Sequence, residues 1–261
     1  MIFSCIIPAS SKDAESQNLR DLIASIKAQD FPQDQIEILV ITEGDSEQAK
    51  AIGIRRAKGE ICAMFCADNY LESEYTFKSV YKQFTTYPIA ASYGRYYAYK
   101  KQDNSLNRYF SLIGGNDVIC FYLGKNDRKP WYDYDKNEIS SYLKFPDKIP
   151  SLGDNGFFYR RDRLIKSNLD NYYPMDCAED LRKLGYFVYE RINSGGLWHR
   201  TSDNLIPFLI KRYKYARDLY CDRENRRWKM VDGAKDYWRL FLFVIFTLTL
   251  IQPLWVSIRG F

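Results

Sequence analysis

Short apolar runs alternate with amphipathic segments in the N-terminal part of the chain. Residues 2–7, 36–41 and 60–66 are almost continuously apolar, as is typical of parallel strands that are buried on both faces. Residues 18–29 and 46–56 lie between them and carry apolar positions at helical spacing. Strand, helix, strand, helix, strand with short links predicts an α/β domain built on a mostly parallel, doubly wound sheet.

A ligand site is predicted at one edge of this sheet, because ligands bind outside the carboxyl ends of the strands in doubly wound folds. The residues that follow the three strands, which we predict to contact this ligand, are Pro8, Ala9, Ser10, Glu43, Asp45, Asp68 and Asn69. The glycine-rich phosphate loops GxGxxG and GxxxxGK(S/T) are both missing from the sequence. A dinucleotide-dependent dehydrogenase and a P-loop nucleotidase are therefore disfavoured.

The middle of the chain is less regular. The pattern predicts a helix over residues 71–84, one or two tyrosine-rich strands over residues 89–99, and a loop-rich insertion over residues 103–150. The charged run 124–128 inside this insertion is interpreted as a solvated loop, with contact to a bound ligand as the alternative. The later predicted elements are a turn at 153–156, a strand at 157–159, a helix at 178–185, a strand at 186–192, and a flexible Ser194-Gly195-Gly196 hinge before His199.

Composition and charge narrow the function classes. The six cysteines are scattered without CxxC pairs, which favours a reducing compartment over a disulfide framework or a zinc ribbon. No charged and apolar leader is recognised at the N-terminus, so catalysis outside the cell is not expected. The formal charge of +5 is concentrated in residues 205–239, which hold ten Lys and Arg against five Asp and Glu. No recognised nucleic-acid motif accompanies this charge, so anionic lipid is the expected partner.

An apolar tail follows the basic segment. Residues 240–251 are uninterrupted by charge and would extend roughly 18 Å as a helix, whereas a membrane core is about 30 Å thick. Gln252-Pro253 is expected to break the run. A shallow or re-entrant insertion and a single span both remain open, and a buried core helix is the third alternative. The positive-inside rule would place the basic segment on the cytoplasmic face.

Several fragments together resemble the start and the order of motifs of family 2 glycosyltransferases. The fragments are Ser4-Cys5-Ile6-Ile7-Pro8-Ala9, Asn18-Leu19, Ser25-Ile26, Gln29-Asp30, Ile36-Glu37-Ile38-Leu39-Val40, Gly53-Ile54, Ala57-Lys58-Gly59-Glu60-Ile61, Ala67-Asp68-Asn69, Gly156-Phe157-Phe158, Glu179-Asp180-Leu181 and His199. The resemblance covers roughly residues 1–215 and points to a membrane-associated subgroup. It implies a GT-A fold, a nucleotide-sugar donor with a UDP-sugar favoured, Mn²⁺ or Mg²⁺, and usually inversion at the anomeric carbon.

The resemblance also implies a domain division and residue roles. A catalytic domain would occupy residues 1–204, with a nucleotide-binding half at about 1–100 and an acceptor half at about 101–204, followed by a membrane-association segment at 205–261. Asp68 and His199 would hold the metal, and Asp180 with its neighbour Glu179 would supply the base. The residues Gly153, Asp154, Asn155 and Gly156 would contact acceptor or sugar. The family's Asp-x-Asp is altered here to Cys66-Ala67-Asp68, and an acidic residue after the second strand is displaced to Glu43 or Asp45.

The sequence therefore predicts a metal-dependent, inverting glycosyltransferase at the cytoplasmic face of a membrane. It would move a sugar from a nucleotide-sugar to a lipid-linked glycan or glycolipid in cell-surface polysaccharide synthesis. A non-catalytic nucleotide-sugar or lipid-binding protein of the same fold is the alternative. A sugar-nucleotide pyrophosphorylase is weaker, because the glycine-rich loop expected after its first strand is missing.

Overall fold

A computed structural model describes residues 1–11, 13–115, 117–130, 140–192, 195–221 and 224–259, with only the backbone described at 215, 216 and 218–221. The strands are β1 (Phe3–Pro8), β2 (Ile36–Ile41), β3 (Ile61–Met64), β4 (Asn69–Leu71), β5 (Ala91–Gly94), β6 (Tyr97–Ala98), β7 (Ser140–Lys144), β8 (Phe157–Arg160), β9 (Val188–Ile192) and β10 (Leu197–His199). The α-helices are α1 (Gln17–Lys27), α2 (Ser46–Arg56), α3 (Thr76–Thr86), α4 (Ser105–Ile113), α5 (Val118–Leu123), α6 (Arg161–Leu164), α7 (Pro174–Lys183), α8 (Leu205–Cys221), α9 (Ala234–Leu248) and α10 (Ile251–Arg259). Two 3-10 turns lie at Asp13–Glu15 and Gln33–Gln35.

The central sheet has seven strands in the order β2-β1-β3-β8-β5-β9-β7 within the described part of the chain. β1 pairs in parallel with β2 and β3, and β5 pairs in parallel with β9. The predicted parallel unit over the first three strands is therefore confirmed. β8 enters antiparallel between β3 and β5, and β7 closes the edge antiparallel to β9, so the sheet as a whole is mixed.

Helices cover both faces of this sheet and give a three-layer α/β domain. In β1, Ile6 packs on the side of α2 and α7, whereas Cys5 and Ile7 pack on the side of α1 and α3. Phe157 and Phe158 divide between the same two clusters. Burial on both faces explains why these strands read as continuous apolar runs.

A second, three-stranded sheet has the order β4-β10-β6. Its strand β4 directly follows the carboxyl end of β3 along the chain, and β10 pairs antiparallel to β4. The predicted hinge before His199 ends in this strand pairing, so His199 is held by a sheet and not by a free loop. Ser194 of that hinge lies outside the described residues.

The predicted loop-rich insertion at 103–150 was wrong in part, because it contains α4, α5 and β7. Asn104 accepts a hydrogen bond from the backbone of Asn107 and caps α4, and Gly114 ends this helix in the left-handed conformation at φ 74°. Asn and Gly at these positions are ordinary helix boundary signals, which the sequence analysis did not use. Residues 131–139 of the insertion lie outside the described part.

The C-terminal region contacts the rest of the domain through residues 224–232. Trp228, Met230 and Val231 are buried in the cluster between the sheet and α7. The Trp228 backbone N–H donates to Asp176 at 2.8 Å, and its indole N–H donates to the Ile149 carbonyl at 3.1 Å. This part of the segment predicted for membrane association therefore lies against the domain predicted for catalysis.

The apolar tail forms two helices instead of one. α9 ends before Thr249-Leu250, where Leu250 has φ 59°, and α10 then turns away at 84°. The break was expected at Gln252-Pro253, but both residues lie in the first turn of α10, where proline costs a helix no hydrogen bond. Within the described residues, no single helix is long and apolar enough to cross a membrane, and α9 with α10 meets that criterion only as a bent pair, by length and composition alone.

Glu190 makes the stability of this fold depend on pH. It lies fully buried in β9, and burial raises its pKa from 4.5 to about 7, although Ser140, Arg95 and Tyr142 act in the opposite direction. The folded chain thus retains a proton that the unfolded chain releases. This contribution to stability is complete below about pH 4.5 and is lost as the pH rises to 7.

We expect the free energy of unfolding to fall by as much as about 3 kcal/mol between pH 5 and pH 8 through this residue. Glu190→Gln should flatten that dependence, because the amide keeps the shape without titrating. Urea unfolding at both pH values measures the effect, with Glu15→Gln on the surface as the matched control. An unchanged slope in Glu190→Gln would show that another group controls the dependence.

Candidate functional site

A cavity of about 620 Å³ lies at the carboxyl ends of β1 and β3, the edge that the sequence predicted. This volume is within the range of small-molecule and cofactor sites. Its wall is acidic. The described carboxylates that line it are Asp13, Asp45, Glu47, Asp68, Asp117, Asp127 and Asp154, and the described lysines and arginines are Lys50, Lys211, Arg212 and Arg226.

Asp68 and His199 lie side by side where the central sheet and the three-stranded sheet meet. Asn69 accepts a hydrogen bond from the Cys66 backbone N–H at 3.0 Å and donates to the Asp68 carboxylate at 3.2 Å, which fixes the turn after β3. In the β4–β10 pair, His199 lies opposite Asn69. The His199 Nε2 consequently lies 3.3 Å from Oδ1 of Asp68.

Asp68 is held as a carboxylate. Burial alone would raise its pKa, but His199 and then Lys211 outweigh this effect and hold the pKa below its usual value. The Lys211 Nζ lies 3.9 Å from the second carboxylate oxygen. A charged carboxylate beside an imidazole is a chemically reasonable pair of ligands for a divalent cation.

The two side chains fit a metal that takes its remaining ligands from elsewhere. No group of three or more His, Cys, Asp and Glu is arranged to hold a metal within the described ranges. Mg²⁺ and similar ions keep several waters and bind through one or two protein carboxylates plus substrate phosphates. Because one of the two donors here is an imidazole nitrogen, the set suits Mn²⁺ better than the more oxygen-selective Mg²⁺.

A buried lysine lies near Cys66, the residue that replaces the first Asp of the Asp-x-Asp pattern. Lys50 of α2 donates to Asp154 at 3.0 Å and to Glu47 at 3.3 Å. Burial would lower the pKa of Lys50, but Asp154 and Glu47 hold it well above its usual value, so the side chain is a cation. Burial and Asp154 raise the pKa of the Cys66 thiol, which lies 3.7 Å from Asp154 and stays neutral. A buried ion pair beside a neutral thiol thus occupies this corner of the cavity.

The run 124–128, interpreted as a solvated loop, is mostly buried or half-buried, and its residues Asn126 and Asp127 line the cavity. Arg128 is almost fully buried, and its guanidinium lies 4.3 Å from the ring centroid of Tyr97 and donates to the Tyr97 hydroxyl at 2.9 Å. It also donates to the backbone carbonyl of Asn155 and to the Asp127 carboxylate. Burial raises the pKa of the Asp127 carboxyl, and Arg128 lowers it. The charge of Asp154 adds to the rise, so the pKa stays above its usual value. Asp127 therefore presents to the cavity a carboxylate that is more basic than an ordinary aspartate.

Six of the predicted site residues line the cavity, namely Pro8, Asp45, Asp68, Asp154, Asn155 and His199. Asp45 also caps α2 by accepting from the backbone N–H groups of Glu47 and Gln48, both at 2.9 Å. The other predicted residues of the strand ends and the 153–156 turn are not part of the lining, namely Ala9, Ser10, Glu43, Asn69, Gly153 and Gly156.

The residues outside the lining have other contacts. Ser10 donates to Asp13 at 2.6 Å, and Glu43 is exposed and paired with Arg56 at 2.8 Å. Asn69 is fully buried and positions Asp68, as described above. Gly153 and Gly156 have φ of 120° and 75°, which lets the chain turn into β8. Their contribution is to backbone geometry at the cavity edge.

The predicted catalytic pair is also placed outside the lining. The Asp180 carboxylate accepts from the Arg227 Nε at 2.7 Å and from the Asn168 backbone N–H at 3.0 Å. Glu179 is bound by Arg182 at 2.6 Å on the same helix. Because both carboxylates are occupied by structural partners away from the cavity, this arrangement does not fit the role of base that the sequence predicted for Asp180 and Glu179.

The sequence analysis missed Lys50, Asp127 and the cations of the C-terminal region, Lys211 and Arg226. A charged run directly after helix α5, which Gly124 ends, was a usable signal for Asp127. Nothing local marks Lys50, which is one of many lysines in the chain. Lys211 and Arg226 were assigned to a lipid-facing segment, because their approach to the cavity depends on long-range packing.

No family model matches the chain, and no curated protein matches it. Solved structures do resemble it. A crystal structure of residues 1–349 of S. aureus TarS in complex with UDP-GlcNAc is 13% identical, covers 88% of this chain and 68% of its own, and has a TM-score of 0.50. The mannosyltransferase PcManGT from Pyrobaculum calidifontis, in complex with GDP-Man and Mn²⁺, is 14% identical, covers 99% of this chain and 72% of its own, and has a TM-score of 0.54. The chain therefore has a GT-A-like glycosyltransferase fold.

Proposed function

We propose that the protein is a metal-dependent, inverting glycosyltransferase that uses a nucleotide-sugar, with a UDP-sugar favoured. The observation that carries this proposal is the Asp68–His199 pair in a cavity at the carboxyl ends of β1 and β3. The two similar structures support it, since one holds UDP-GlcNAc and the other GDP-Man with Mn²⁺.

The charge of the cavity supports the proposed dependence on a cation. Carboxylates outnumber lysines and arginines among the described lining residues, so a diphosphate entering alone would meet net repulsion. Asp68 and His199 would hold Mn²⁺, or less favourably Mg²⁺, against the diphosphate. The ion would supply neutralisation of the charge that develops on the departing nucleotide diphosphate.

Asp127 is the cavity carboxylate that best suits the acceptor side. In an inverting transfer, an acceptor hydroxyl oxygen bonds to the anomeric carbon as the bond to the diphosphate breaks, and its proton passes to a base. Asp127 lies in the cavity wall, and burial raises its pKa, which strengthens it as a base. Arg128 holds it in place through the contacts to Tyr97 and Asn155.

The acceptor is proposed to be a lipid-linked glycan or glycolipid at the cytoplasmic face of a membrane, in cell-surface polysaccharide synthesis. Exposed apolar side chains on α9 and α10, including Trp238 and Leu254, support a surface that contacts lipid. The competing proposal is a protein that binds a nucleotide-sugar or lipid without turnover, which the altered Cys66-Ala67-Asp68 motif favours.

Nucleotide-sugars should stabilise the protein only when Mn²⁺ is present. At a ligand concentration about 100 times Kd, the expected gain is about 2.7 kcal/mol, which is visible as a rise in Tm. A thermal-shift screen of UDP- and GDP-sugars with and without MnCl2 measures it. Asp68→Asn should remove the Mn²⁺-dependent part, whereas Asp30→Asn, which breaks an exposed pair with Lys78, should not. A screen in which no nucleotide raises the Tm would contradict the proposal.

Asp127→Asn should lower kcat by about 100-fold or more while nucleotide-sugar binding is kept, because the base is lost but the metal ligands remain. In the unchanged protein, kcat should fall with decreasing pH through a pKa above that of an ordinary aspartate, since Asp127 must be deprotonated to act. Steady-state transfer and donor hydrolysis across pH 4 to 9 measure both effects.

Asp180→Asn is the matched comparison for this base. It should change kcat by less than about tenfold, because Asp180 is bound to Arg227 outside the cavity. A large loss in Asp180→Asn with an active Asp127→Asn would support the assignment made from sequence. Donor binding without transfer or hydrolysis in the unchanged protein would favour the non-catalytic alternative.

A further inference from the structure

Helix α8 has an apolar side that faces solvent. Five large apolar or aromatic side chains of this helix are each more than half exposed, namely Leu205, Ile206, Leu209, Ile210 and Tyr213. Their spacing of one, three and four residues places them along one side of the helix. A soluble helix normally buries such a stripe, so this one is expected to have a partner.

The opposite side of α8 faces the domain and carries cations. Phe208 is buried against Phe110 of α4 and Val256 of α10. Lys211 and Arg212 line the cavity, and the Lys211 Nζ lies 3.9 Å from the Asp68 carboxylate. Two cations of α8 therefore line the cavity, whereas its apolar stripe faces outward.

A lipid surface is the partner that the neighbouring helices indicate. α8 and α10 share one apolar cluster on α4, and α10 exposes Leu254 and Ile258. The adjoining α9 exposes Trp238 and Leu248. Exposed apolar residues on adjoining helices are what a contact with a lipid interface requires.

The charge around these stripes gives the sign of the lipid. Lys214 on α8 and Lys235 on α9 are exposed. Residues 205–239 as a whole carry ten Lys and Arg against five Asp and Glu. Basic residues beside exposed hydrocarbon favour anionic headgroups.

We propose that the outer side of α8 docks on an anionic lipid surface, and that docking strengthens nucleotide binding through Lys211 and Arg212 on its inner side. The inference rests on the proposed function, because it assigns α8 a role at the proposed donor cavity. Lipid on one side and diphosphate on the other would restrain the same helix. By linkage, each ligand must then raise the affinity for the other by the same factor.

Vesicle flotation with the full chain tests the docking. Binding is expected to vesicles of phosphatidylcholine with phosphatidylglycerol and to be much weaker with phosphatidylcholine alone. Leu209→Ser with Ile210→Ser should lower the vesicle affinity by about tenfold or more, because two large apolar side chains leave the contact. Free inorganic phosphate should not compete with the vesicles, which distinguishes lipid docking from simple anion binding.

Coupling is tested with UDP or GDP and MnCl2 as probes. Nucleotide affinity, measured by calorimetry, should rise about fivefold or more when anionic vesicles are added, and the vesicle affinity should rise equally with nucleotide. Val244→Ser with Leu248→Ser on α9 is the matched control, since it should weaken docking but leave the coupling factor unchanged. Lys211→Ala should reduce the coupling factor while vesicle binding persists.

Each outcome decides a separate point. Nucleotide affinity that is the same with and without vesicles overturns the coupling and leaves the proposed function standing. A failure of UDP and GDP to bind in either setting overturns both. A chain that ignores vesicles but sediments as a dimer, and becomes a monomer in Leu209→Ser with Ile210→Ser, would show that a second copy covers α8. A circular-dichroism melt confirms that each variant is folded.

Discussion

The pairing of β4 with β10 is the constraint on which the site depends. It brings the end of β3 and a residue from far along the chain to within 3.3 Å of each other, as Asp68 and His199. Neither residue could hold a cation alone at useful affinity, because a single carboxylate or imidazole leaves too much of the coordination to water. The central sheet supplies the platform, and the small sheet supplies the convergence.

In the proposed function, the acidic side chains around this pair would make the cavity selective for charge. Asp127, Asp154 and Asp45 would repel a free diphosphate, whereas a diphosphate that shares its charge with a cation would be accepted. Lys50 offsets little of this repulsion, because Asp154 and Glu47 already neutralise the charge of its ammonium group. Binding of donor and cation is thus expected to be mutually dependent.

Much of the fold could be predicted from the sequence, because the parallel strands are continuous apolar runs and the helices between them carry apolar residues at helical spacing. The edge of the sheet that carries Asp68 followed from the same topology. The position of Asp180, bound to Arg227 outside the cavity lining, could not be predicted, because a carboxylate in a helix looks the same in sequence whether it faces a cavity or an arginine. Lys50 and Asp127 were missed because their burial depends on elements that are distant in the chain.

The contact of Trp228 with Asp176 and Ile149 has a practical consequence for anyone preparing this protein. Truncating the chain after residue 204 would be an obvious way to remove the apolar tail. It would also strip Arg226 and Met230 from the cavity wall and leave the carboxylate of Asp176, which has no exposed surface, without its amide partner. Ending the chain within α9 instead, after residues 224–232, would keep that wall intact.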